Sequence, residues 1–231
     1  MSQVSLSEPE WRGLLRVGAI SIIVGGILVL AALPLIPLLI PSLAPSSVES
    51  GLTALQTQGS LFGLMWGLYL VSDLLYVIAF PALYIALRQL GRSIVVIALV
   101  FNALFVAIDV GIDIPLSLSL VRLSASYSAA QGAAQQAYVG AAALAMDVGG
   151  VASLIATFLQ FSAVILASYA MTRTSVFGKT TGLLGIISGV VALLFIPAII
   201  VGSPLAGLFN IGGFAFLVLW SLATGYRLYR A

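Results

Sequence analysis

Asn102, Asp109, Asp113 and Ser117 are separated by seven, four and four residues, a spacing that puts all four on one face of a helix. Two carboxyls one turn apart can share a proton, hold a hydronium ion or take up a cation. Pro115 lies beside them. It removes a backbone donor and crowds the carbonyl of Gly111, so a bend near Asp113 that frees a further oxygen is expected. Asp73 is a second place of this kind, with Tyr69 four residues before it and Tyr76 three after, so that both phenols can reach its side of a helix. Asp147 is the remaining acid in an apolar setting. The candidate ion- or substrate-binding residues are therefore Asp73, Asp109, Asp113, Asp147, Asn102, Tyr69 and Tyr76.

The same inventory excludes other chemistry. The chain has no cysteine and no histidine, which removes thiolate nucleophiles, disulfides, iron–sulfur ligands and the commonest general base and metal ligand. No catalytic residue, metal site or cofactor is assigned. An intramembrane aspartyl protease would need Tyr-Asp on one helix and Gly-x-Gly-Asp on another; Ser72-Asp73 and Gly111-Ile112-Asp113 match neither.

The elements that carry these residues are apolar runs at 14–39, 61–87, 94–120, 148–171, 180–201 and 205–226. At about 1.5 Å per residue, each is long enough to cross a hydrocarbon core of about 30 Å. A hydrophobic fraction of 61%, only 7% charged residues and a mean hydropathy of +1.21 lie far outside soluble norms. The fold expected over 1–231 is a single all-α domain, a bundle of six transmembrane helices in the cell membrane. The first run follows Glu8, Pro9 and Glu10 and exceeds the apolar length of a signal peptide, so it is read as a retained helix.

Charge orients the bundle. Arg12, Arg16, Arg88, Arg92, Arg173, Lys179, Arg227 and Arg230 fall on one side and only Arg122 on the other, which places both termini in the cytoplasm by the positive-inside rule. The basic residues form no patch or stripe, so the net charge of +2 does not point to nucleic acid. With no Lys, Arg or His inside the spans, the buried acids are expected to need a proton, water or a cation.

Local signals refine the map. Ser7 and Glu10 have the spacing of a capping box for the first helix, and Pro34, Pro37 and Pro41 should break that helix after Leu33. The stretches 41–60 and 122–137 read as polar connections. The Ala-rich run 129–145, with Gln131, Gln135 and Gln136, has helical propensity; joined to the fourth span it would be too long for a bilayer, so a break at Gly149-Gly150 or an extension beyond the membrane is expected. Ser203-Pro204 should cap the last helix. Gly59, Gly63 and Gly67, and Gly182, Gly185 and Gly189, recur at helix-packing spacing and mark close helix contacts, within the chain or with a second copy or another membrane subunit. Thr157, Gln160 and Asn210 are read as interhelical hydrogen bonds.

From Asp73-Leu74-Leu75 through Leu83-Tyr84 to the basic turn 88–92, and again at Asp147, Phe177-Gly178-Lys179 and Leu183-Leu184-Gly185, the chain resembles a family of small bacterial and archaeal six-helix membrane proteins catalogued as a domain of unknown function. The resemblance implies the fold and no activity. Two functional readings stay open: binding or transport of a proton, cation or small cationic substrate through an outward-facing acidic cavity, or a structural or accessory membrane subunit whose aspartates only pack.

Overall fold

The computed structural model describes residues 11–230, apart from the side chains of residues 90 and 91. Among the described residues the chain is helical throughout, without strands. Six helices are long and apolar enough to cross a membrane: Arg12–Leu38, Val48–Gln89, Arg92–Ala129, Gly132–Met171, Gly178–Ile200 and Ala206–Arg230. They are called spans one to six. Ser7 and Glu10 lie outside the described residues.

The chain is an all-α bundle whose neighbours follow one another around a ring. Span one packs on spans two and six, span four on spans two, three and five, and span five on span six. Helical residues run without interruption over Val48–Ile108, yet Asn102 Nδ2 donates to Tyr76 O and Ser124 Oγ donates to Leu52 O at 2.6 Å, so the chain doubles back close to Arg88–Arg92. The termini share one end of the bundle, called here the terminal end. The opposite, distal end carries the connections at 39–47, 130–131 and 201–205.

The outward faces are those of a membrane protein. Val17, Ile20, Val24 and Ile27 repeat every three or four residues along span one and are all exposed, an apolar stripe that lipid can cover. The inner face holds a dry core at the terminal end that includes Ile22, Tyr76, Leu83, Phe161, Phe177 and Trp220, each almost fully buried.

Gly182, Gly185 and Gly189 serve close packing as their spacing implies. A side chain at Gly185 would collide with Ser168 and the Trp220 indole, and one at Gly189 with Ile165 and the Phe161 carbonyl. Gly59 approaches Val121, whereas Gly63 and Gly67 have open space where a side chain would be. Two of the three glycines in the first row therefore have no neighbouring atom within reach of an added methyl group among the described residues.

Several helices run further than their apolar stretches. Span two begins at Val48, not residue 61, because Ser47 and Ser50 form a reciprocal cap: Ser50 N–H donates to Ser47 Oγ at 3.1 Å and Ser47 N–H to Ser50 Oγ at 3.0 Å. Span four is one helix of 40 residues, about 60 Å long, so Gly149-Gly150 does not break it and the Ala-rich run is its extension. Span three also continues, to Ala129. Most of the stretches read as polar connections are thus helical, and they pack together at the distal end around Leu39, Leu52, Leu55, Leu120 and Ala142.

The segment after span one is tied into this distal layer. Pro34, Pro37 and Pro41 divide it into short turns, Leu35–Leu38 and Ile40–Leu43, and Gln58 holds it by donating to Leu38 O and accepting from Ser42 Oγ at 2.7 Å. At the other hairpin, Gly202 takes φ +65 and ends span five, with Ser203 N–H reaching back to Ala198 O at 2.8 Å and Gly202 N–H to Ile199 O. Ser203 Oγ then accepts from Leu205 N–H, and the regular helix starts at Ala206, two residues after Pro204.

Candidate functional site

The bend expected at Pro115 is a π-helical turn over Asp109–Asp113. Pro115 has no N–H to donate, and the preceding turn widens so that Ile114 N–H reaches Asp109 O, five residues back. This turn presents Asp109 and Asp113 to the bundle interior, where both are buried. From span two Asp73, 3% exposed, meets them. Asp109 lies within hydrogen-bonding reach of both Asp73 and Asp113, so the three carboxyls form a chain across two helices. Ser117 Oγ stands 3.4 Å from Asp113 Oδ1, and Ser153 of span four is also within its reach. Gly149 keeps the span-four backbone close to this carboxyl.

The acids border a cavity of about 170 Å³ between the dry core and the distal layer. Four helices each give it one stripe with polar groups, while span one and the segment after it add the apolar Val29, Ile36 and Leu43. Span two supplies Trp66, Tyr69 and Asp73; span three supplies Phe105, Asp109 and Asp113 at successive turns. Span four supplies Ser153, Thr157 and Gln160 at i, i+4 and i+7, and span six supplies Asn210 and Phe214. A polar stripe on each helix cannot face lipid without cost, so burying these stripes against one another also creates the cavity.

Two buried polar atoms on residues that line this cavity have no protein partner among the described residues: Asp73 Oδ2, an acceptor, and Trp66 Nε1, a donor. The group facing Asp73 is the Asp109 carboxyl, another set of acceptors unless a proton intervenes. No Lys or Arg is among the lining residues. Arg122 is exposed on span three, beyond the acids. From span two across to span six runs an aromatic row in which ring centroids are 6.1 Å apart for Trp66–Tyr69 and 5.9 Å for Tyr69–Phe214.

The other candidates go elsewhere. Tyr76 turns to span six, where its hydroxyl and Ser221 Oγ are 2.9 Å apart, and Asn102 donates to Tyr76 O at 3.4 Å, so both join helices in the dry core. Tyr69 and Tyr76, seven residues apart, lie on nearly the same side of span two and both face span six; Tyr69 is one turn from Asp73 toward the distal end, where the cavity is, and Tyr76 one turn toward the terminal end, in the dry core. Asp147 is exposed and borders no part of the cavity.

The reverse holds for Thr157, Gln160 and Asn210, which form no interhelical hydrogen bonds among the described residues and line the cavity instead. Ser153 and Trp66 were not singled out from the sequence. The heptad spacing of Ser153 with Thr157 and Gln160 was the available signal; nothing local distinguishes Trp66 from an interfacial tryptophan. No protein-family model matches the chain, and no curated protein or solved structure is significantly similar to it.

Proposed function

We propose that this multi-pass membrane protein binds or transports a proton, a cation or a small cationic substrate through its acidic cavity. The observation that carries the reading is the approach of Asp73 to Asp109 with no cationic residue beside them and with Asp73 Oδ2 lacking a donor. Carboxyls in a low-dielectric interior need a positive or hydrogen-bearing species between them. Entry from the distal end suits the cavity, which lies against the distal layer.

The proposed orientation has both termini in the cytoplasm of a cell membrane and the cavity opening outward. Eight of the nine basic residues lie toward the terminal end, and three of them sit over aromatic rings there: Arg88 over Trp11, Arg173 over Tyr169 and Arg230 over Tyr226. The resemblance to the six-helix family of unknown function belongs to the same proposal and adds no activity to it. Labelling of Ser128→Cys, at the exposed distal end of span three, should occur from outside only; labelling from the cytoplasm alone would overturn the orientation.

Flux in proteoliposomes tests the function. Wild-type protein should dissipate an imposed proton, sodium or organic-cation gradient faster than empty liposomes, and Asp109→Asn or Asp113→Asn should abolish that flux in a folded protein. Wild-type flux at the empty-liposome level for all three gradients would favour the accessory-subunit reading.

A further inference from the structure

We propose that the cavity recognises a small primary or secondary ammonium ion that also carries a hydrogen-bond acceptor, such as an amino alcohol, whether free or as a lipid headgroup. This rests on the cation-binding reading above and narrows it. The first argument is the pair of unpartnered atoms. A proton or a metal ion can sit between Asp73 and Asp109, but neither supplies an acceptor to Trp66 Nε1, a buried group that only donates. One ligand with N–H groups at one end and an oxygen at the other would satisfy both once the Asp73 carboxyl and the Trp66 indole turn these atoms into the cavity that their side chains line.

The walls make the same selection. The row Trp66–Tyr69–Phe214 offers aromatic surface to an alkylated cation, and cations over such faces are attracted electrostatically as well as by contact. A hydronium or bare metal ion has no alkyl group to cover that surface by contact. Among the described residues no three acidic groups are grouped closely enough to hold one metal ion; the carboxyls are strung along the cavity instead. The acceptors available to an ammonium are plural, since Gln160 and Asn210, each with an amide oxygen, line the same space as the carboxyls. This favours a cation with several N–H donors over a quaternary one, which has none. The volume of about 170 Å³ also exceeds by an order of magnitude the roughly 15 Å³ that one water needs.

The test is equilibrium binding to the full chain in nanodiscs of phosphatidylglycerol, followed by tryptophan fluorescence, with chloride salts of ethanolammonium, ethylammonium, tetramethylammonium and sodium at constant ionic strength. Ethanolammonium should bind about tenfold more tightly than tetramethylammonium, with ethylammonium between them. Trp66→Phe, followed by thermal shift, should erase the advantage of ethanolammonium over ethylammonium, and Asp73→Asn should weaken both by about tenfold or more. Equal affinity for ethanolammonium and tetramethylammonium, or an ethanolammonium advantage that survives Trp66→Phe, would overturn the proposal. These two readouts decide it even where Asp73→Asn does not fold.

Proton or sodium flux without amine binding would end this inference and leave the broader cation reading standing. Neither flux nor binding would remove both. A second set of nanodiscs containing phosphatidylethanolamine separates the sources: loss of free ethanolammonium binding there identifies the headgroup, and unchanged binding identifies a free amine, each in keeping with ammonium recognition.

Discussion

Among the described residues the bundle buries two pairs of unpartnered side-chain polar atoms, and it treats them in opposite ways. In the terminal half, Ser168 Oγ and Trp220 Nε1 lie against Gly185, where spans four, five and six approach so closely that a single methyl group would collide with both side chains. In the distal half, Asp73 Oδ2 and Trp66 Nε1 are themselves buried, but the residues that carry them line a cavity. An unpaired buried group costs about 1–3 kcal/mol in either place. At Gly185 that cost is offset by contact around a fully buried indole, and no space remains for another molecule. At Asp73 the helices stand apart, and the cost persists until a ligand or water supplies the missing bonds. The presence of a cavity along the side chains, not their having an unpaired atom, separates a packed interior from a binding site.

The largest expected effect strikes the packed half. Gly185→Leu should destabilise the fold by about 3 kcal/mol or more, because neither helix can move without disturbing the Trp220 contacts, and detergent thermal unfolding should show it as a large drop in Tm. Trp220→Phe, which leaves a void in the same place, should cost about 2 kcal/mol by the same measurement. If either variant kept wild-type stability, the terminal half would not be the close-packed region described.

Smaller stability effects belong to the distal half. Trp66→Phe should cost under about 1 kcal/mol, since it removes a donor that has no partner in the protein. Asp73→Asn should leave stability within about 1 kcal/mol of wild type, because an amide can donate to Asp109 where the carboxylate could not, while flux is lost. A collapse of the fold in Asp73→Asn would mean that the acids are held as a structural network. The smallest effect is expected at Asp147→Asn: within about 0.5 kcal/mol and with flux unchanged, as for an exposed residue away from the site.

Hydropathy and helical spacing disclosed the six spans, the common face of Asp109 and Asp113, the bend at Pro115 and the row from Gly182 to Gly189. Helix ends were less legible, because an apolar window stops where polar residues begin while helical propensity continues. Ser47 and Ser50 cap span two well before its apolar run, and the Ala-rich start of span four needs no lipid to stay helical. The site was partly legible. Asp147 precedes Ser153 by six residues, about 240° around the helix, so the phase set by Ser153, Thr157 and Gln160 already turned it away from their face. Thr157 and Gln160 alone read as interhelical packing, because one sequence does not reveal whether facing polar stripes touch or stand apart. The same limit hid Trp66.

An experimental density map of the wild-type protein at a resolution that shows ordered water would test the contrast between the two halves most directly. Density for a water or a small ligand is expected between Asp73, Asp109 and Trp66, with none between Ser168 and Trp220. An empty gap beside Asp73, or a cavity closed by direct contact of its walls, would contradict a binding site there, and ordered water at Gly185 would contradict the dry packing set against it.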